Sequence, residues 1–213
     1  MAILAPSADE RPATRAPQGL RRSGRPDRSG QAIVEFALVI PIVMVLLTAI
    51  IEFAFLFNAT LSSSYATRDA SLVAAEAGNV VGADCLILQK IEQDFTPPSD
   101  ARAIQLAEIY WSGTNGQPNG GAINVYNRTG STTCIVNGLS ITVPYTAASL
   151  GYPDSVRCNI LTGCGGSHPN LDLIGVRVTY QHTWHTPLKS LLGFSGTGWT
   201  IVRSNTMRME PVL

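Results

Sequence analysis

The sequence is organised around one apolar run, residues 31–57, which read QAIVEFALVIPIVMVLLTAIIEFAFLF. A helix of this length would measure roughly 40 Å, and the hydrocarbon core of a bilayer is about 30 Å thick. Residues 36–51 carry no charge, and Glu35 and Glu52 stand on either side of them. Pro41 lies within the run, but membrane helices tolerate an internal proline better than soluble helices do. The run predicts one transmembrane helix over residues 31–57 and excludes a multi-span transporter.

The charges on the two sides of this run differ in sign. Residues 1–30 hold six Arg against three Asp and Glu, whereas residues 58–213 hold nine Lys and Arg against ten Asp and Glu. Because positive flanking charge stays inside, we expect residues 1–30 to be a disordered cytosolic leader and residues 58–213 to lie outside the cytoplasmic membrane. An Arg-rich tail is also typical of nucleic-acid-binding arms. Its place beside an apolar run, and a formal net charge of zero, argue against a nucleic-acid partner.

A cleaved secretory signal is an alternative interpretation, since it also combines a basic start with an apolar core. Such a core usually has about 7–15 residues and ends in a small-x-small cleavage site. This run is longer, and residues 54–57 read AFLF, with aromatic side chains where small residues belong. The pattern therefore favours a membrane anchor that is retained.

Helix-forming residues continue beyond the apolar run, over residues 58–79, to a Gly-Asn stop. Four larger side chains in this stretch fall near one helix face, namely Leu61, Tyr65, Leu72 and Val73. The sequence thus predicts one long helix that extends past the membrane. A second short helix is expected over residues 80–94.

From residue 101 onward the composition changes to β-branched and aromatic residues between Gly, Asn and Pro clusters, which is typical of strands and turns. The strand candidates are residues 103–111, 122–128, 134–145, 173–184 and 198–209. We therefore expect an α+β fold. A long N-terminal transmembrane helix would be followed by a small, mainly antiparallel β-domain within an extracytoplasmic region of residues 80–213.

The most informative local pattern lies where the basic segment meets the apolar run. Gly30 ends the basic segment, Gln31 begins the apolar helix, and Glu35 follows inside the apolar stretch, next to Phe36. A carboxylate in hydrocarbon costs a few kcal/mol or more near the bilayer centre, so its presence points to a function. The alternative is that Glu35 simply lies in the headgroup region of the inner leaflet.

Residues 30–41, which read GQAIVEFALVIP, and the later Glu52-Phe53 pair resemble the TadE-like proteins of tight-adherence (Tad) pilus systems. The wider pattern is similar to the processing motif of type IV prepilins. The resemblance is strong over residues 29–70, weak over residues 171–211 and absent between them.

The resemblance implies cleavage by a membrane-embedded prepilin peptidase between Gly30 and Gln31, on the cytosolic side. The new amine of Gln31 would begin the helix, and the Glu35 carboxylate of one subunit would face the amine of a neighbouring subunit. Opposite charges offset the cost of desolvating both groups. The implied partners are other pilins or pseudopilins, the inner-membrane assembly platform and the lipid bilayer.

Two features separate this chain from the repeating subunit of such pili, as the resemblance describes it. Phe36 stands where the major tight-adherence pilins have tyrosine, and the region that follows the membrane helix is large. We expect a minor or accessory pilin that acts in pilus assembly and surface adherence, without catalytic residues or a cofactor. The alternative is an unprocessed single-pass envelope protein with an extracytoplasmic binding domain.

Glu52 lies 17 residues after Glu35, roughly 25 Å further along a helix. This spacing places it near the outer interface of the membrane. It would be either an interfacial carboxylate or a contact with a partner within the membrane.

All four cysteines follow the apolar run, and an even number on the outer side predicts two disulfides. Three pairings are possible, of which we favour Cys158 with Cys164 and Cys85 with Cys134. A zinc site of Cys158, Cys164 and His168, with His182 or His185, is the alternative, although the spacing does not resemble paired CxxC ligands. His182 and His185 are expected to point to opposite faces of a strand.

No motif of a known catalytic class occurs in the chain. The segment 163–168, GCGGSH, contains Ser and His, but neighbours in sequence do not make a catalytic triad. The sequence therefore favours a protein that acts by assembly over an anchored enzyme.

Overall fold

The computed structural model describes residues 29–166, 168–193 and 195–211. The chain divides into two units, at residues 43 and 44, and each is described by itself. The expected leader, apart from its last two residues, lies outside the described residues. Within them, one helix is long and apolar enough to cross a membrane.

The long helix α1 spans Ser29–Ala77 and contains Pro41. In the first unit, residues 30–43 form its start, and all of their side chains are exposed. Large apolar side chains in a fully exposed row match a helix whose surroundings are lipid rather than water.

In the second unit, α1 presents a narrow buried face made of small side chains. They recur every three to five residues and include Ala59, Ala66, Ala70 and Ala74, each at most 2 % exposed. Small residues on one face let a helix lie close to the elements that cover it. The larger Leu61, Tyr65 and Leu72 remain exposed, so the domain packs on the small-residue face.

A second helix and seven strands follow α1. Their bounds are α2, Ala83–Asp94; β1, Ile104–Ser112; β2, Pro118–Asn127; β3, Thr132–Val136; β4, Leu139–Val143; β5, Thr146–Leu150; β6, Leu173–Thr183; and β7, Gly198–Arg208. A short helix, α3, occupies Leu188–Leu192 between β6 and β7. The expected α+β fold, with a long N-terminal helix before an antiparallel sheet, is confirmed.

Five strands form one antiparallel sheet in the order β5-β2-β1-β6-β7. The central strands β1 and β6 supply the buried core through Ile109, Val176 and Val178. Gly175 lies opposite Tyr110 in the register of β1 and β6. A Cβ at position 175 would approach the Tyr110 ring to 2.3 Å, so glycine makes room for the aromatic ring.

The stretch 134–145, expected to be one strand, is instead the greater part of a hairpin of β3 and β4. The turn residues Asn137 and Gly138 both have positive φ, 49° and 82°. This Asn-Gly pair is the standard signal of a two-residue hairpin turn, and the expectation of one strand overlooked it. The disulfide of Cys85 and Cys134 links α2 to the hairpin, with a Cα–Cα distance of 6.2 Å.

A network of buried polar groups supports the loop before β6. Asp172 is 2 % exposed and accepts hydrogen bonds from the Tyr152 hydroxyl, 2.7 Å, and from the Cys158 backbone N–H, 2.9 Å. Burial raises the pKa of Tyr152, and its hydrogen bond to Asp172 raises it further. The phenol is therefore a neutral donor throughout the physiological pH range.

The second disulfide joins Cys158 to Cys164 at a Cα–Cα distance of 5.7 Å. Both cysteine pairs at disulfide distance are the pairs favoured from the sequence, which supports that prediction.

Replacing Cys158 and Cys164 together by alanine is expected to lower the free energy of unfolding by about 2 kcal/mol, because this bridge closes a short loop. Thermal unfolding of the purified chain in detergent measures this change. An unchanged midpoint would mean that the hydrogen bonds to Asp172 hold the loop without the bridge.

Candidate functional site

The residues of the predicted processing site lie at the start of α1. Gly30 and Gln31 occupy its first turn, and a Cβ placed on Gly30 would meet no atom within 4 Å. Glu35 and Phe36 follow on the next turn, both exposed. The Gln31 side-chain amide donates a hydrogen bond to Glu35 Oε1 over 2.9 Å, so the two residues share one side of the helix.

The peptide bond between Gly30 and Gln31 is helical in this structure, whereas proteases bind extended chain. The first turn of a helix is the easiest part to unwind, because its N–H groups have no partners within the helix. Opening this turn would expose the bond without disturbing the rest of α1.

Glu52 has a different environment from the one expected, because it is buried within the chain's own domain. It is 4 % exposed. Its carboxylate accepts hydrogen bonds from the backbone N–H of His185, 3.2 Å, and of Thr186, 2.9 Å, and lies 3.1 Å from His182 Nε2. The structure thus brings together residues 130 or more positions apart and ties α1 to the end of β6.

The prediction that His182 and His185 point to opposite faces of a strand is wrong. Strand β6 ends at Thr183, so His185 lies beyond it. The chain turns there, and the two imidazole rings lie 5.4 Å apart. Phe55 of α1 meets the His185 ring edge-on at 4.7 Å, which completes the contact between the helix and this turn.

His168, the third histidine of the zinc alternative, has its own partners. Its Nδ1 lies 2.6 Å from Asp172 Oδ1, and its ring stacks on Trp111 at 4.4 Å. Cys158 and Cys164 are joined to each other. In residues 29–166, 168–193 and 195–211, no group of three or more His, Cys, Asp and Glu side chains is placed to hold a metal ion.

A row of exposed apolar side chains lies on α1 beyond Glu52. Phe57 is 66 % exposed, Leu61 53 % and Tyr65 58 %, and they are spaced four residues apart. This spacing places them along one helix face, which is the usual arrangement for packing against another helix.

The comparisons with known proteins bear on the first part of this helix. A model of the TadE-like protein family matches residues 30–72. No curated protein and no solved structure matches the chain. The matched segment starts at Gly30, includes Glu35 and Glu52, and extends past the exposed row on α1. The resemblance to TadE-like proteins predicted over residues 29–70 is confirmed, while the weaker one over residues 171–211 lies outside the match and stays a prediction.

The match and the apolar helix cover the same first part of the chain, and the helix is long and apolar enough to cross a membrane. The functional roles predicted from the sequence for residues at the start of α1 stay a prediction. The sequence pattern did not predict the partners of Glu52. The sequence held only a general indication that Glu52 has partners. A carboxylate at the end of an apolar segment needs polar partners, and the chain had to supply them from elsewhere.

Proposed function

We propose that this protein is a minor pilin or pseudopilin-like component of a Tad-type pilus, processed by a prepilin peptidase between Gly30 and Gln31. The observation that carries the proposal is the family match, which begins at the proposed cleavage site and covers the exposed apolar helix. The protein acts by assembly rather than by catalysis, in keeping with the structural role of TadE-like pilus components. Pilus assembly and surface adherence are the processes it serves.

The proposed orientation follows from charge. The basic residues of the leader, six Arg over residues 1–30, keep the N-terminus in the cytosol. The peptidase then acts on the cytosolic side, and the domain that follows α1 lies outside. Two disulfides in that domain agree with an oxidising compartment.

Assembly would use two features of α1. After cleavage, the amine of Gln31 in one subunit can pair with the exposed Glu35 carboxylate of another, which sets the register between helices. The exposed row of Phe57, Leu61 and Tyr65 gives neighbouring pilins or pseudopilins a second apolar surface, which starts where the predicted transmembrane helix ends. The inner-membrane assembly platform is the partner that would move such subunits.

An accessory position in the pilus is favoured by Phe36 and by the size of the domain. The sheet, the hairpin and α2 follow one membrane helix, which is much more chain than a repeating subunit of this kind carries according to the resemblance. A minor pilin at a tip or base would have room for such a domain.

The test is the N-terminus of the mature chain, measured by mass spectrometry of the intact protein purified from membranes of its own host. We expect a chain that begins at Gln31. A chain that keeps the leader would overturn the processing step and favour an unprocessed single-pass envelope protein with a binding domain. A chain that begins beyond residue 57 would mean a secretory signal.

A further inference from the structure

A cluster of exposed apolar side chains lies around the buried Glu52, at the end of the apolar segment. We call this cluster the junction patch, and it consists of the exposed Phe53, Leu192 and Trp199 together with the half-buried Trp184. Phe53 is 52 % exposed, Leu192 51 % and Trp199 45 %. Large apolar patches on a protein surface mark contacts with a membrane or with another protein.

The patch is built from two parts of the chain that contact each other. The Phe53 ring lies 6.5 Å from Trp199, and Trp199 lies 5.4 Å from Trp184. Between them is an open apolar cavity of about 240 Å³, also bordered by Leu188 and Leu192 of α3. Helix α1 and the β6–β7 connection therefore present one continuous apolar surface.

Glu52 holds this surface in place. Its carboxylate accepts hydrogen bonds from the backbone N–H groups of His185 and Thr186, which lie shortly before α3. These bonds fix the β6–β7 connection against α1. The height of the patch along α1 is thus determined by a buried contact rather than by a flexible loop.

The position of the patch along α1 coincides with the point where a helix that starts at Gly30 is long enough to cross a membrane. The 22 residues from Gly30 to Ile51 would measure about 33 Å as a helix, close to the thickness of a hydrocarbon core. Glu52 comes directly after them, and Phe53 is the next residue. Trp side chains prefer the boundary between hydrocarbon and headgroups, where a ring can be apolar on one side and hydrated on the other.

The charge pattern of the β6–β7 connection agrees with this location. From Trp184 to Trp199, Lys189 is the one Asp, Glu, Lys or Arg residue. A lysine beside leucines can bury its aliphatic stem and place its ammonium among lipid phosphates. A surface that binds a protein partner would not need to lie at the end of the apolar segment.

We propose that the junction patch inserts into the bilayer interface at the leaflet where the apolar segment ends, so that the protein contacts the membrane through both α1 and the β6–β7 connection. The occupant of the patch is phospholipid. The proposal rests on the membrane anchorage in the proposed function, but not on processing or assembly.

The test uses tryptophan fluorescence of the full chain in phospholipid vesicles with bromine on acyl-chain carbons near the headgroup. Two single-tryptophan variants are compared. W111F/W184F keeps Trp199 in the patch, and W184F/W199F keeps Trp111, which stacks on His168. We expect brominated lipid to reduce Trp199 emission at least about twofold relative to plain lipid, while Trp111 emission stays unchanged. Flotation of the vesicles on a density gradient reports anchorage separately.

The outcomes distinguish membrane anchorage from insertion of the junction patch. A chain that floats with the vesicles but shows no quenching of Trp199 would overturn the insertion of the patch and leave the anchorage intact. Emission protected from both brominated lipid and aqueous acrylamide would also overturn it, in favour of a protein contact such as a second copy. A chain that does not float would reject the anchorage itself.

The unaltered chain provides a second measurement if a variant does not fold. Its combined emission from three tryptophans must fall in brominated vesicles, and acrylamide must quench a further share that lipid does not reach. Loss to acrylamide alone would contradict the proposal.

Discussion

Replacing Glu52 with alanine is expected to lower the free energy of unfolding of the domain by about 3–5 kcal/mol, because it removes one side of a buried polar contact. Two backbone N–H groups and the His182 ring lose their acceptor in a place where water has little access. Leaving buried donors unpaired costs more than the hydrogen bonds themselves contribute. For a chain of this size the midpoint of thermal unfolding should fall by roughly 10 °C.

The measurement is thermal unfolding in detergent, followed by tryptophan fluorescence, since Trp184 and Trp199 lie beside the contact. Glu76→Ala is the matched control, because Glu76 is an exposed carboxylate on the same helix. Glu52→Gln should fall between the two, since its amide keeps one acceptor oxygen but adds donors. A Glu52→Ala midpoint equal to that of Glu76→Ala would show that the contact does not hold the domain to α1.

The same substitution also changes the membrane end of the domain. Without Glu52, the β6–β7 connection loses its attachment to α1, and Trp199 should become more mobile. Glu52 therefore stabilises the fold, and it also fixes where the apolar surface of the domain lies relative to the end of the apolar segment.

Local patterns in the sequence were enough to predict the two longer helices and most of the strands, but not the short helix α3. Secondary structure follows from patterns within short stretches of sequence, where periodicity carries information. The apolar run, the helix formers after it and the β-rich segments are patterns of this kind. Strand β6, for example, was expected over residues 173–184 and spans Leu173–Thr183. The fifth strand of the sheet, β5, was missed because its sequence, TAASL, has little β-branched character.

The contacts of Glu52 could not be predicted in this way. They depend on how a turn after β6 meets a helix that lies 130 residues earlier, and no spacing rule joins such positions. The error over His182 and His185 has the same origin. Alternation holds only inside a strand, and the strand ended between them.

The face of α1 that the domain covers was also not evident from the sequence. Large apolar residues usually mark the buried face of a helix, yet here alanines are buried, and Leu61 and Tyr65 are exposed. In the proposed pilus subunit, this helix would have two faces to cover. The domain covers the alanine face, which allows close approach, and the larger side chains would contact a neighbouring subunit.

Replacing Gly30 with valine is expected to abolish processing, so that the chain recovered from membranes keeps residues 1–30. Glycine lacks a Cβ and lets a protease approach the backbone closely and hold it extended. In the folded chain, a Cβ at position 30 meets nothing within 4 Å, so valine adds no clash there. Valine in a helix costs less than about 1 kcal/mol relative to alanine. The effect would therefore arise in recognition by the peptidase, not in folding.

The control is Gly121→Val, because Gly121 also has open space around the position of a Cβ and lies in β2, far along the chain from the cleavage site. Both variants are expressed in the native host, and their intact masses are compared with that of the unaltered chain. We expect the Gly121 variant to begin at Gln31 and the Gly30 variant to retain its leader. If the Gly30 variant still begins at Gln31, the peptidase does not require glycine.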